Sequence, residues 1–325
     1  LSHFDPDAAA PAGSGIYGLP FSPAESRVVI VPVPFEATTS YGGGTSRGPQ
    51  AVLKASHQVD LFDHDTGRPY EQGIAMLPIP KKIAAWNRQA KLLARRKARA
   101  NVNAIGDRVN QWVYGEASSL LEAGKIAAVL GGDHSVPFGS IRAHAEWYPG
   151  MGILHLDAHA DLRDAYEGFT WSHASIFHNV MTKIPGVGKL VQVSVRDLGQ
   201  AEMEMIGSSG GRIVTFFDSD IAARKESGTP FATIADEIVA ELPEHVYLSW
   251  DIDGLDPILC PGTGTPVPGG LLWNEAIALL RAVARARKKI VGLDLCEVAP
   301  GKTEWDANVG ARLLYKMIGF ALLSQ

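Results

Sequence analysis

Residues 152–161 read GILHLDAHAD. A short, nearly continuous apolar run ends in three polar residues, Asp157, His159 and Asp161. Runs of this form suit strands buried on both faces of a parallel sheet. Six others share it: VVIVPV (28–33), IAAVL (126–130), LVQVSV (190–195), RIVTFF (212–217), HVYLSWD (245–251) and KIVGLDL (289–295). Between them lie helix-length segments at 84–122, parts of 136–147 and 172–183, 232–241 and 273–287. Strand, helix, strand at this spacing predicts an α/β fold with crossover connections. No linker or internal repeat divides the chain, so residues 27–325 are expected to form one domain. Residues 1–26, rich in Ala, Pro, Gly and Ser, read as an N-terminal arm.

The chain has 325 residues, of which 46% are hydrophobic and 20% charged, enough to bury a sizeable core. With 30 basic and 35 acidic residues the formal net charge is −5, which excludes a general nucleic-acid coat. Two cysteines, Cys260 and Cys296, argue against a disulfide scaffold. No apolar run approaches the roughly 18 residues of a membrane span. The first residues lack the basic start and apolar stretch of a signal peptide. A soluble, cytoplasmic protein is the expectation.

In open α/β sheets ligands bind beyond the carboxyl ends of the strands, and here those ends carry the chemistry. Gly131-Gly132-Asp133-His134-Ser135 follows one run, and Asp157-Ala158-His159-Ala160-Asp161 ends another. Asp251-Ile252-Asp253 ends a third, and Glu297 follows a fourth. Residues at i, i+2 and i+4 of an extended segment point the same way, which aligns Asp157, His159 and Asp161, and likewise Asp251 and Asp253. Carboxylates bunched in this way repel unless something positive sits among them. Imidazole and carboxylate without thiolate suit hard-to-borderline divalent metals such as Mn²⁺, Ni²⁺, Co²⁺ or Zn²⁺. Six such ligands suit a pair of ions about 3.5 Å apart rather than one open ion.

GGDHS, DAHADLR and SWDIDGLDP, in this order, resemble the ureohydrolase family of arginases, agmatinases and related amidinohydrolases. GGGTSRGPQAVLKAS (42–56) and TGTPVPGG (263–270) extend the resemblance, which runs from about Val28 to Phe320. It implies a three-layer α/β/α arginase-like fold with a mainly parallel eight-stranded sheet, and homotrimers or homohexamers. It implies two divalent ions, usually Mn²⁺ and in some members Ni²⁺. One would be held by His134, Asp157, Asp161 and Asp251, and the other by Asp157, His159, Asp251 and Asp253. The metal pair would supply hydroxide from shared water. Glu297 would bind and orient a guanidinium, and Asp161 would accept the hydroxide's hydrogen bond. His173, in WSHAS, would pass a proton to the leaving amine. The products would be urea and an amine.

The substrate is less legible. Where arginases carry an Asn two residues beyond the position of Asp161, this chain has Arg163, and where they carry a Ser ahead of the downstream His it has Phe169. Both put arginine in doubt and favour agmatine or another small guanidino compound. The alternatives are alkylguanidines or biguanides such as metformin, guanidine itself, and guanidinobutyrate. Arg163 would clamp a substrate carboxylate or hold a neighbouring acid. Phe169, Trp171 and Trp305 suggest an apolar or cation-binding rim, or a subunit interface. Two readings of other classes are a single-metal amide hydrolase of the deacetylase type, which lacks the GGDHS ligand, and a non-catalytic partner of an active paralogue. The basic run at 81–99 reads as the solvated side of a long helix, with Trp86, Leu92 and Leu93 turned inward. Asp63-His64-Asp65 reads as a solvated turn, Gly42-Gly43-Gly44 as a turn or rim loop, and both cysteines as small buried hydrophobes.

Overall fold

A computed structural model describes residues 4–11, 13–39 and 41–325. Among them are eight strands: β1 (Val28–Val33), β2 (Ile74–Met76), β3 (Ile126–Gly131), β4 (Met151–Leu156), β5 (Val187–Val195), β6 (Ile213–Phe217), β7 (His245–Asp251) and β8 (Lys289–Cys296). They form one sheet in the order β2-β1-β3-β8-β7-β4-β5-β6, and every neighbouring pair is parallel. Parallel strands require crossovers, and the crossover helices cover both faces. On one face pack α1 (Gly48–Ser56), α8 (Phe231–Ala240), α9 (Trp273–Arg285) and α10 (Trp305–Leu323). On the other pack α2 (Lys81–Arg95), α3 (Arg99–Glu122), α4 (Phe138–Trp147) and α5 (Ile176–Lys183). Short helices α6 (Gln200–Ser208) and α7 (Asp218–Glu226) flank the β6 edge. The three-layer α/β/α architecture is therefore present.

Successive strand residues face opposite layers. Leu154 and Leu248 pack under α8–α10, while Ile153 and Tyr247 pack toward α4 and α5. That two-sided burial is why the strands read as unbroken apolar runs.

The structure corrects several details. β2 is too short to stand out in the sequence, and helices α1, α6, α7 and α10 were not assigned from the pattern. The expected helix at 84–122 is two helices. Lys97 takes a left-handed backbone (φ 55°), with Lys97 N–H bonded to Ala94 O and Ala98 N–H to Leu93 O, a Schellman ending. Trp86 and Leu93 do pack inward, but Leu92 is 56% exposed. The segment expected as an arm is partly core: Ile16, Tyr17 and Leu19 are buried, and the Tyr17 hydroxyl donates to Ala311 O. Residues 1–3 and 12 of that segment lie outside the described residues. Asp63 is buried rather than solvated, and Lys316 pairs with both Asp63 and Asp65. Both cysteines are free and buried. Among the described residues no helix is long and apolar enough to cross a membrane.

Candidate active site

Four adjacent strands, β3, β8, β7 and β4, end at one rim, and the polar residues singled out from the sequence sit just beyond them. The chain must turn sharply after β3 to bring His134 across β8. Gly132 permits this, because a Cβ there would lie 2.0 Å from Phe35 O. Asp133 is not among the clustered candidate ligands; its Oδ1 accepts the N–H of Ser135 at 3.1 Å and fixes the turn. Beyond β4, the Asp157 carboxylate accepts the N–H of His159 at 2.6 Å. Beyond β7, Asp251 accepts the N–H of Asp253 at 2.9 Å, and Asp253 accepts the N–H of Ala158 at 3.0 Å. The two acidic loops thus hold each other in place. Arg196, not foreseen, ties them to the 263–270 loop by donating to Asp253 O at 2.6 Å and Val267 O at 3.1 Å.

His134 Nδ1 lies 3.1 Å from Asp157 Oδ2, 3.3 Å from Asp161 Oδ2 and 3.7 Å from Asp251 Oδ2. His159 Nδ1 lies 3.2 Å from Asp157 Oδ1 and 3.4 Å from Asp253 Oδ2. Asp157 therefore turns one oxygen to each histidine, and the six residues divide into two donor groups that share it. His155, not foreseen as part of the site, joins the cluster with Nε2 at 2.9 Å from Asp157 Oδ2. Glu297 accepts the N–H of His134 on Oε1 at 3.1 Å, while its buried Oε2 has no hydrogen-bond partner among the described residues.

The cluster is electrostatically unbalanced. Burial and the charge of Asp157 push Asp161 up to about 7. Burial and neighbouring carboxylates also raise Asp251, Asp253 and Glu297. Asp157 is held well below the carboxylate range: three histidine hydrogen bonds outweigh its burial. His159 goes up to about 12, since the carboxylates of Asp253 and Asp157 overcome desolvation. In effect His134 and His159 act as the cations of this cluster, while burial lowers His155. Divalent ions between the two donor groups would replace them and draw every carboxylate back to its ionised form. The donor set, two imidazoles and four carboxylates without thiolate, fits such ions.

Burial pushes His173 down to about 4. It lines the cavity that opens over the cluster, about 270 Å³, together with Tyr41, Arg163, Tyr166, Asp197 and Glu202. Arg163 Nε lies 3.4 Å from Glu202 Oε2, and its guanidinium sits 5.0 Å from the Tyr166 ring centroid. The three expected aromatic rim residues are elsewhere. Phe169 is buried in the core beneath α2 and α3. Trp171 packs against Phe138 with the rings tilted, donates to Asp107 at 2.7 Å and faces a separate cavity. The aromatic rim is instead Tyr41 and Tyr166. Trp305 is 52% exposed and does not line the cavity.

The chain matches the model of the Arginase family over residues 26–319. It is 36% identical over 298 residues to the N(1)-aminopropylagmatine ureohydrolase of Thermus thermophilus, covering 91% of this chain and 90% of the relative. It is 31% identical over 281 residues to the agmatinase of Bacillus anthracis, covering 85% and 84%. It is similar in structure to the proclavaminate amidinohydrolase of Streptomyces clavuligerus, with a TM-score of 0.77, 25% identity, and coverage of 98% and 100%. The match across nearly the whole chain, on a fold that gathers these motifs at one rim, makes it an agmatinase-like ureohydrolase belonging to the arginase family.

Proposed function

We propose that the chain is a dinuclear metallohydrolase that releases urea from a small guanidino compound bearing a cationic tail, of the agmatine type. The observation that carries the metal reading is the bridging geometry of Asp157, with Oδ2 and Oδ1 at 3.1 and 3.2 Å from two different histidines. His134, Asp157, Asp161 and Asp251 would hold one ion, and Asp157, His159, Asp251 and Asp253 the other. Mn²⁺ is the first choice and Ni²⁺ the second. When bound, the pair would lower the pKa of a water and so supply a hydroxide nucleophile at neutral pH.

The protein's own groups do the rest. Glu297 offers its unpartnered Oε2 to the guanidinium and orients the carbon. Asp161, on a left-handed backbone (φ 53°), faces the same space and accepts the nucleophile's hydrogen. His173 lines the cavity and would pass a proton to the departing nitrogen. The bond to the tail nitrogen breaks, the water oxygen stays in urea, and the amine leaves protonated.

The tail reading rests on the mouth of the cavity. Arg163 is already paired with Glu202 and stacked on Tyr166, so it is poorly placed to clamp a substrate carboxylate. Asp197 is exposed at the same mouth beside two tyrosines, a setting for an ammonium group. The relatives named for agmatine and aminopropylagmatine agree with a cationic tail. The test is metal content and urea release after loading with Mn²⁺ or Ni²⁺. The panel is agmatine, aminopropylagmatine, arginine, guanidinobutyrate, guanidine, dimethylguanidine and metformin. Two ions per chain and a preference for the amine-tailed substrates are expected. A preference for guanidinobutyrate would overturn the tail reading, and well under two ions per active chain would overturn the dinuclear one.

A further inference from the structure

Five neighbouring strands each carry one polar side chain at the same level of the sheet, directly under the carboxylate cluster. The register pairs Thr215 with Gln192, Gln192 with His155, His155 with Ser249, and Ser249 with Asp294. Gln192, His155, Ser249 and Asp294 are fully buried. Buried polar groups of this kind cost stability unless bonded, and here the bonds fix their own direction. Gln192 Nε2 donates to Ala160 O at 2.7 Å, and Gln192 Oε1 accepts from the Thr215 hydroxyl at 3.0 Å. The amide cannot be reversed without facing oxygen against oxygen. Its second hydrogen then points at His155 Nδ1, 3.0 Å away, which must be the acceptor. The ring hydrogen of His155 is therefore on Nε2, and it is donated to Asp157 Oδ2 at 2.9 Å.

We propose that His155 is a positioning residue for the bridging Asp157, and that Gln192 locks it in the Nε2–H form that does this. The proposal rests on the reading that the site holds two divalent ions. His155 lies within the cluster of candidate ligands, yet both its nitrogens are engaged, so it has no lone pair left for an ion. Its fixed donor stops the Asp157 carboxylate from rotating and keeps one oxygen toward each histidine. The other ring form would set a lone pair against Oδ2 and push the carboxylate out of its bridging position. Phe177 packs against the imidazole, its ring centroid 4.0 Å away and its plane tilted by 41°.

The test is Mn²⁺ binding to the full chain by calorimetry, with circular dichroism to establish folding. His155→Phe is expected to stay folded and to bind Mn²⁺ roughly 10- to 100-fold more weakly, the usual cost of losing a partner of a metal ligand. Gln192→Leu is expected to weaken binding in the same direction. His155→Gln, whose amide can reach as Nε2–H does, is expected to restore most of the affinity. Histidine-selective ¹⁵N NMR of the unaltered chain, with Zn²⁺ as a diamagnetic probe, is expected to show His155 in the Nε2–H form. Wild-type Mn²⁺ affinity in folded His155→Phe, or an Nδ1–H form in the unaltered chain, would overturn the proposal. Failure of the unaltered chain to bind Mn²⁺ at all would overturn the dinuclear reading instead. Should His155→Phe not fold, the NMR result decides.

Discussion

Gly264→Ala tests whether the position of one carboxylate oxygen controls the reaction. A Cβ at residue 264 would lie 2.7 Å from Glu297 Oε2, where ordinary contact begins at 3.4 Å. The oxygen must therefore retreat by about 0.7 Å, the difference between those distances. Nothing else need move: the nearest atoms are all of the Glu297 carboxylate, and residue 264 is not among those with a left-handed backbone. Nor does a hydrogen bond hold Oε2 back. A misplacement of about 1 Å in a positioning group costs on the order of 100-fold in rate, so 0.7 Å predicts a loss in kcat/KM of roughly 10- to 100-fold. Stability should change by less than about 1 kcal/mol, because no cavity forms and no buried partner is lost. The assay is steady-state urea release, with Mn²⁺ content and a thermal melt as controls. Activity within twofold of the unaltered enzyme, at full metal content, would refute the role given to Glu297. A loss of metal would show that the substitution acts on the ions and not on substrate alignment.

The buried Glu36 carboxylate accepts N–H groups from Gly44 and Ser46 and pairs with Lys91, and these bonds outweigh burial and lower its pKa. Its stabilisation is complete above the unfolded value and fades as pH falls through the lower folded value. Glu36→Gln should thus lose about 1.5–3 kcal/mol at neutral pH, with the gap to the unaltered chain closing toward pH 4 and below in urea unfolding. An equal gap at all pH would refute the ionic account. Asp197→Asn should raise KM for amine-tailed substrates about fivefold, the scale of one exposed charge pair, and leave KM for guanidine unchanged. An equal rise for guanidine would place Asp197 in general site structure. Chelation should lower the melting temperature and Mn²⁺ should restore it, since ligand at about 100 times its Kd adds about 2.7 kcal/mol per site. A melt indifferent to both would argue against metal binding by the folded cluster.

The sheet was legible because burial on both faces leaves a simple mark, an apolar run bounded by polar residues. The cluster of His134, Asp157, His159, Asp161, Asp251 and Asp253 was legible because side chains that violate burial rules at strand ends stand out in sequence. What escaped notice lay inside the runs. His155 in GILHLD, Gln192 in LVQVSV, Thr215 in RIVTFF, Ser249 in HVYLSWD and Asp294 in KIVGLDL each interrupt an apolar stretch. Taken one at a time they look like tolerated exceptions. Only the register shows that they stand side by side. The rim failed for a different reason: Phe169 and Trp171 follow a loop with left-handed residues at Ala165, Glu167 and Gly168, which turns the chain back into the body. Such reversals at residues other than glycine leave little trace in composition.

Those reversals also say where the fold spends its stability. Asp161 and Glu297 both sit at strand ends in the left-handed region, at φ 53° and 64°. Residues other than glycine held there cost of order 1–3 kcal/mol each and persist only where their surroundings over-determine them. Glu297 is so held: its N–H donates to Gly132 O at 2.7 Å, while its Oε1 accepts the N–H of His134. At Asp161 the peptide carbonyl accepts from Phe177 and His178 at the start of α5. In both cases backbone bonds help to hold the strained residue, and at Glu297 they leave Oε2 without a partner among the described residues. The strained backbone at Glu297 and its unpartnered Oε2 thus belong to one arrangement, while the upward shift of Asp161 has a separate cause in its burial and the charge of Asp157.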